Sequence, residues 1–465
     1  MLDLVIRGGN VATEFGIFQA DIGVEEGRIS KVARLVEEPA ERIINAGGKL
    51  VIPGGIDGHV HFAMHYSDGV YTADDFYSGT VAAACGGITT VIDFATPERG
   101  QSFIDAFVSR RRQADGEVAV DYGLHLSVVS ADARRLAELE ELYNKHGVAS
   151  IKVFTAYRRR GLMLDDGAIL DVLREASRLG TLVLAHCENE DIINRNVERF
   201  LSKGKTGVEY HGLSRPDYVE AEAIRRLSFF TGLTGAMLLV VHLSSGMGLE
   251  AVREARRGGA RVYAETCPHY LMFDDSVYRS KDAALYLMSP PLKSPRDREA
   301  LWDGVVKGGI TVMGSDHACF TAKVKRRSEI FTEIPGGVQG TENIIPILYS
   351  EGVAKGRLSI ERFVALVSAN PAKLYGLYPC KGAILPGSDA DLTIIDPNMK
   401  VKLGRDAMHS RLDHSIYEGI EVRGYPTEVV SRGRVIVENR EFVGQRGWGR
   451  YLARRGNPKT VEGLQ

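Results

Sequence analysis

Between Pro53 and Ala372, short apolar runs and amphipathic stretches take turns eight times, and few architectures accept that rhythm. The runs are LVIPGGIDGHVHF, TTVIDF, VDYGLHLSVV, SIKVFTAY, TLVLAHC, MLLVVHLS, RVYAETC and TVMGSDHA. Each is apolar nearly throughout instead of alternating, as a parallel strand covered on both faces should be. Between them lie helical patterns such as DGAILDVLREASRLG and GLEAVREARRGG, which close on glycine as helices commonly do. Parallel strands need crossover connections, so eight strands with helices between them predict a (β/α)8 barrel of the TIM type; open doubly wound sheets usually have fewer strands. No GxGxxG or GxxxxGK(S/T) follows a strand, which disfavours nucleotide binding.

The two ends of the chain have another texture. LDLVIRGGNVA and QADIGVEEGRIS near the start, and DADLTIIDP and EVRGYPTEVVSRGRVIVENRE near the end, read as short strands joined by glycine-containing turns. Neither stretch is long enough to bury a core by itself. The expectation is one small β-sandwich domain built from residues 1–52 and 373–443, interrupted by a catalytic barrel of residues 53–372. Residues 444–465 form a basic tail, expected in solvent or, alternatively, in oligomer contacts.

Charge and cysteine usage exclude some partners. With 58 basic against 60 acidic side chains and a formal net charge of -2, the chain has no overall field to gather nucleic acid or an anionic membrane. Its start, MLDLVIRGGN, lacks the basic region and apolar core of a secretion signal, and no apolar stretch of about 20 residues occurs. Five scattered cysteines without a CxxC pair suit a reducing compartment, so cytoplasmic residence is expected.

A buried parallel strand that carries an ionisable side chain at its C-terminal edge needs a reason. Here His59 and His61 end the first barrel strand, and their i, i+2 spacing puts both imidazoles on one face. Lys152 lies in the fourth strand, His186 ends the fifth, His242 the sixth and Asp316 the eighth. All six fall at the end where barrel enzymes keep their chemistry, and together they describe a metal site. Imidazole and carboxylate ligands suit zinc, with Mn2+, Co2+ or Fe2+ as alternatives. Desolvation and nearby metal ions both favour a neutral Lys152 amine, which could take up carbon dioxide to give a carbamate, N6-carboxylysine, able to bridge two metals.

These residues, with PGGIDGHVHF, TADDFYSGTVAAACGGITTVIDF, SIKVFTAY, LAHCEN, VHLSS, AETCPHYL, SPPLK, GSDHACF and SANPAKLYGL, resemble the amidohydrolase superfamily and, within it, the hydantoinases and dihydropyrimidinases. The resemblance spans most of the chain from the first barrel strand onward. It implies two divalent metal ions, one held by His59, His61 and Asp316 and one by His186 and His242, with carboxylated Lys152 between them. It further implies hydrolysis of a cyclic amide by a hydroxide between the metals, with Asp316 moving the proton to the leaving nitrogen and Tyr157 donating to the developing oxyanion. Ser289 and Gln339 match positions whose backbone groups hold the cyclic amide; asparagine is usual at the second, so Gln339 is a departure. Cys319 is expected to be structural, and His269 to border the site or stabilise its loop. A homotetramer or homodimer is implied as well.

The loop HFAMHYSDG after the paired histidines lacks the arginine that dihydroorotases use for the substrate carboxylate. Phe62, Met64, Tyr66, Phe154 and Tyr157 suggest instead a pocket for an uncharged ring and its exocyclic substituent. Allantoinase is the nearest enzymatic rival, and a metal-free dihydropyrimidinase-like scaffold the rival from another class. Arg158, Arg159 and Arg160 read as a solvated loop, with attraction of anionic substrates as the second reading.

Overall fold

Eight parallel strands lie side by side in chain order: β1 (Gly55–Val60), β2 (Ile88–Ala95), β3 (Asp121–Ser127), β4 (Ser150–Phe154), β5 (Leu182–His186), β6 (Met237–Val240), β7 (Val262–Thr266) and β8 (Val312–Met313). The computed structural model describes residues 1–67, 69–456 and 459–464. The first and last strands meet through a bridge between Val60 and His317 and a hydrogen bond from the His61 N–H to the His317 carbonyl at 2.9 Å. Asp57 of β1 reinforces that seam by accepting from the Ser315 N–H and hydroxyl at 3.1 and 2.5 Å. The sheet is thus a nearly closed barrel, and the fold expected from the eight apolar runs is the one observed.

The crossovers form for local reasons as well as tertiary ones. In the helix Asp166–Leu179 the Asp165 carboxylate caps the first turn, Ile169, Val172, Leu173 and Ala176 face inward at i, i+3, i+4 and i+7, and Gly180 ends it at φ 72°. A left-handed residue there costs any side chain with a Cβ more than it costs glycine.

Strands from both ends of the chain join in one nine-stranded sheet. Leu2–Thr13 bends at a register shift between Ile6 and Gly9, pairing with Ala40–Asn45 in its first half and Leu50–Pro53 in its second. Leu392–Lys402 then pairs antiparallel with Leu50–Pro53, which stitches the C-terminal strands to the N-terminal ones. Leu4, Ile22, Val51, Leu392 and Val430 are among the apolar side chains this sheet buries in a cluster of its own.

The tail departs from the solvated segment that its basic composition suggests. Tyr451 bridges Tyr122 of β3, and the Arg454 side chain is buried at 1% exposure. Its guanidinium donates to the Leu124 carbonyl, to Ser150 Oγ at 2.9 Å and to the Tyr375 carbonyl at 3.4 Å. Basic residues look solvated in a sequence because nothing local announces three oxygen acceptors waiting inside a barrel. No helix among the described residues is long and apolar enough to cross a membrane.

Candidate active site

The C-terminal ends of the barrel strands open into a cavity of about 860 Å³. His59, His61, Lys152, His186, His242 and Asp316 all line it, as do Tyr157, Met64, Phe154 and Ser289. Gln339 does not: its buried side-chain amide donates to Ser415 Oγ at 2.7 Å, which leaves only its backbone for any role at the cavity. Phe62 is also outside. It is fully buried against Phe76 and His317, because the turn that follows β1 directs it into the core while His61 faces the cavity. His269 is buried with neither ring nitrogen partnered among the described residues, and Cys319 packs with its Sγ 3.2 Å from His317 Nε2.

His59 Nε2 and His61 Nε2 both approach one oxygen, Asp316 Oδ1, at 3.3 and 3.2 Å. The ligand atoms of these three residues lie within 4.8 Å of one another, as a single cation would need. Beside them, His186 Nδ1 and His242 Nε2 face each other at 3.0 Å, while His242 Nδ1 has no hydrogen-bond partner among the described residues. Two imidazole nitrogens aimed together can share one proton or turn two lone pairs on a cation. The donor set therefore fits two divalent ions held by imidazole and carboxylate.

Buried carboxylates fix which nitrogen of His59 and of His186 faces the cavity. Glu265 Oε1 accepts from His59 Nδ1 at 2.7 Å and from the His242 backbone N–H at 3.1 Å, so one side chain of β7 orients a residue of each group. Glu188 Oε2 accepts from His186 Nε2 at 2.9 Å and pairs with Arg215. Burial pushes the Glu188 carboxyl up, but Arg215 and His186 outweigh it and hold it at about 2. Neither glutamate was expected from the sequence, although Glu265 obeys the rule that picked out the histidines: it is a charged residue at the end of a buried strand, in RVYAETC.

Lys152 is 2% exposed and has no carboxylate within ion-pair distance among the described residues. Its ammonium nitrogen lies 5.5 Å from the Phe94 ring centroid and 5.3 Å from that of Phe154. Burial pulls it down to about 8 against the opposing pull of Asp316 and Glu265, so the neutral amine is accessible near neutral pH. Burial also lowers His61, His186 and His242, favouring the neutral, ligating imidazole. For Asp316 burial acts upward, yet His59 and the hydrogen bond from His61 hold the carboxyl well below its ordinary range.

Strained backbone gathers at the same place. Tyr157, His242 and Asp316 take φ of 72°, 41° and 48°, a region that residues with a Cβ seldom adopt. Tyr157 is held there by its N–H donating to Glu190 Oε2 at 2.7 Å, and its ring sits 4.7 Å from that of His186. Burial raises its phenol, which keeps the O–H protonated and able to donate.

The comparisons with known proteins agree with this geometry. A model described as the amidohydrolase family matches residues 50–436. A D-hydantoinase of Geobacillus stearothermophilus is 39% identical over 97% of this chain and 96% of its own length. A crystal structure of a D-hydantoinase superposes with a TM-score of 0.95 at 39% identity, covering 98% of this chain and 99% of that one. A dihydropyrimidinase from Brevibacillus agri NCHU1002 gives the same TM-score of 0.95 at 38% identity and the same coverage.

Proposed function

The chain belongs to the amidohydrolase family, and from that premise we propose that it hydrolyses the cyclic amide of hydantoins or dihydropyrimidines, giving N-carbamoyl amino acids. The observation that supports this most is the meeting of two imidazole groups with Asp316 at the mouth of a barrel beside a buried lysine that lacks a carboxylate partner.

His59, His61 and Asp316 would hold one divalent ion, His186 and His242 the other, and Lys152 as N6-carboxylysine would join them; zinc suits the donors, with Mn2+, Co2+ or Fe2+ able to replace it. Such a pair of ions supplies Lewis acidity toward the ring carbonyl and an ionised water at neutral pH. The protein residues do the rest. Asp316, kept ionised by its histidine neighbours, accepts the proton released in the attack and passes it to the departing ring nitrogen. Tyr157 donates from its protonated phenol to the oxygen that gains charge. Ser289, on the cavity wall, and the backbone of Gln339 are assigned to hold the amide in place. Glu265 and Glu188 keep the His59 and His186 imidazoles turned inward.

The test is a panel of dihydrouracil, hydantoin, D- and L-5-substituted hydantoins, allantoin and dihydroorotate assayed with metal-replete enzyme. Hydrolysis confined to hydantoins or dihydrouracil supports the reading; hydrolysis of allantoin or dihydroorotate alone replaces it, and no activity with no bound metal favours a scaffold. Carboxylation is tested separately. Lys152→Ala should lose both metals, with partial recovery on adding a small carboxylic acid; full metal occupancy in the variant removes the bridge. Tyr157→Phe should lower kcat by about 10² to 10³ if its phenol serves the oxyanion.

Two further parts of the reading concern the chain as a whole. Free cysteines at all five positions support cytoplasmic residence. Phe229 and Leu233, 65% and 64% exposed on the helix Asp217–Thr234, support assembly as a homotetramer or homodimer, which sedimentation would decide.

A further inference from the structure

The cavity rim carries a cation that ring opening does not use. Arg160 closes the short turn Arg158–Arg160 directly after Tyr157, and its side chain lines the cavity. Its guanidinium carbon lies 4.7 Å from the Tyr66 ring centroid and 5.7 Å from that of Tyr157. The solvated-run reading fits its neighbour better: Arg158 points to Asp191, with which it pairs at 2.9 Å.

Another cation of the cavity wall is already paired. Arg110 is locked onto Asp93 at 2.6 Å and also donates to the Phe62 carbonyl. Glu98 and Arg99 also line the cavity, as one charge of each sign at neighbouring positions of the chain. Among the described residues, Arg160 meets no carboxylate within ion-pair distance and its guanidinium has no hydrogen-bond acceptor. Stacking occupies the face of a guanidinium and leaves its edge, where five N–H donors form a planar fork, available to an anion. A fork of that kind matches a carboxylate bidentately.

Position decides what kind of anion. Tyr157 stands between His186, 4.7 Å away ring to ring, and Arg160. A carboxylate borne on the reacting ring itself stops short of the rim, whereas one at the end of a two-carbon arm can cross the tyrosine. Met64, Phe154 and Leu162 offer apolar wall for the methylenes of such an arm.

We propose that Arg160 is a specificity-determining residue that selects cyclic amides whose exocyclic arm ends in a carboxylate. The inference rests on the ring-opening reading above. Its product would be an N-carbamoyl derivative of an acidic amino acid, so the reaction that consumes it would be removal of the carbamoyl group.

The test compares two nearly isosteric substrates, 5-(2-carboxyethyl)hydantoin and 5-(2-carbamoylethyl)hydantoin, with metal-replete enzyme. In the wild type kcat/KM for the acid should exceed that for the amide by about tenfold or more, a ratio that falls as salt is added. Arg160→Leu should bring the ratio down at least about tenfold, and Arg160→Lys should retain part of it with a steeper salt dependence, because a point charge replaces a fork. Taking the ratio within each variant cancels any general loss from the missing stack on Tyr157. Equal ratios in wild type and Arg160→Leu, with both substrates turned over, overturn the proposal and leave the ring-opening reading standing. Absence of turnover on these and on every other hydantoin and dihydropyrimidine overturns both.

Discussion

The two ends of the barrel bury the same kinds of residue and use them oppositely. At the C-terminal end Lys152 lies among aromatic rings with no carboxylate of the described residues within ion-pair distance, and burial pulls its ammonium down to about 8. At the N-terminal end Lys381 is equally buried but meets Asp391 at 2.6 Å, Asp121 at 2.7 Å and Asp389 at 3.0 Å. Burial lowers Lys381 too, yet those carboxylates outweigh it and raise it. The histidines divide the same way between the barrel interior and its mouth. His125 of β3 is satisfied on both nitrogens, by Ser150 Oγ at 2.6 Å and the Gly58 carbonyl at 2.9 Å, whereas His242 Nδ1 has no partner. A buried charge or imidazole is therefore not by itself a sign of function. What separates the two ends is whether the surrounding structure completes the group's coordination or leaves it open to a ligand.

The contrast can be broken by matched substitutions. The largest effect is expected from Asp316→Asn, which should cut kcat/KM by at least about 10⁴-fold while the melting temperature stays within a few degrees, since the site is built for chemistry. A melting temperature that collapses with activity would assign Asp316 to the scaffold instead. Next comes the lysine pair: Lys381→Met removes the buried cation shared by three carboxylates, leaving Asp121 and Asp389 to Arg432 and Arg450 and Asp391 to no cation among the described residues, and should cost about 3 to 5 kcal/mol in chemical denaturation. Lys152→Met should cost far less, because it exchanges an unpaired buried amine for an apolar side chain; equal losses would erase the distinction between the ends. Arg454→Met strips the Leu124 carbonyl and Ser150 Oγ of their donor and should cost about 2 to 3 kcal/mol, with activity of the folded fraction retained.

The smallest effect lies on the flank of the barrel. His409 donates from Nδ1 to Glu342 Oε1 at 2.7 Å, and that hydrogen bond first, then the Glu342 charge, raise the imidazole above its ordinary value. A raised base stabilises the fold fully below its unfolded pKa of about 6.5 and loses that contribution as pH rises through the folded value. His409→Gln should therefore lower the melting temperature most below pH 6, by an amount worth about 1 kcal/mol, and the difference should shrink toward pH 8. A pH-independent difference would assign the loss to packing alone.

Much of this was legible in the chain itself, and the reason is physical. Strands buried on both faces have to be apolar, so eight such runs announce the barrel, and an ionisable residue at the end of one stands out against that background. That contrast made His59, His61, Lys152, His186, His242 and Asp316 visible before any coordinate was known. Glu265 was equally visible by the same rule. Glu188 was harder to find, because it lies beyond its strand in a loop where carboxylates are common.

Other assignments depended on distant partners. Phe62 reads as a pocket residue by adjacency to His61, yet the turn after β1 directs it into the core. The tail reads as solvated until β3 and the Tyr375 carbonyl surround Arg454. Arg158, Arg159 and Arg160 form one run in sequence, but the fold gives Arg158 a carboxylate and sets Arg160 over two rings at the cavity. Sequence by itself determined the barrel and the chemical types gathered at its mouth, because burial and spacing act along the chain. Only the tertiary structure decided which buried charges were paired and which were left open, because their partners arrive from strands and loops far away in sequence.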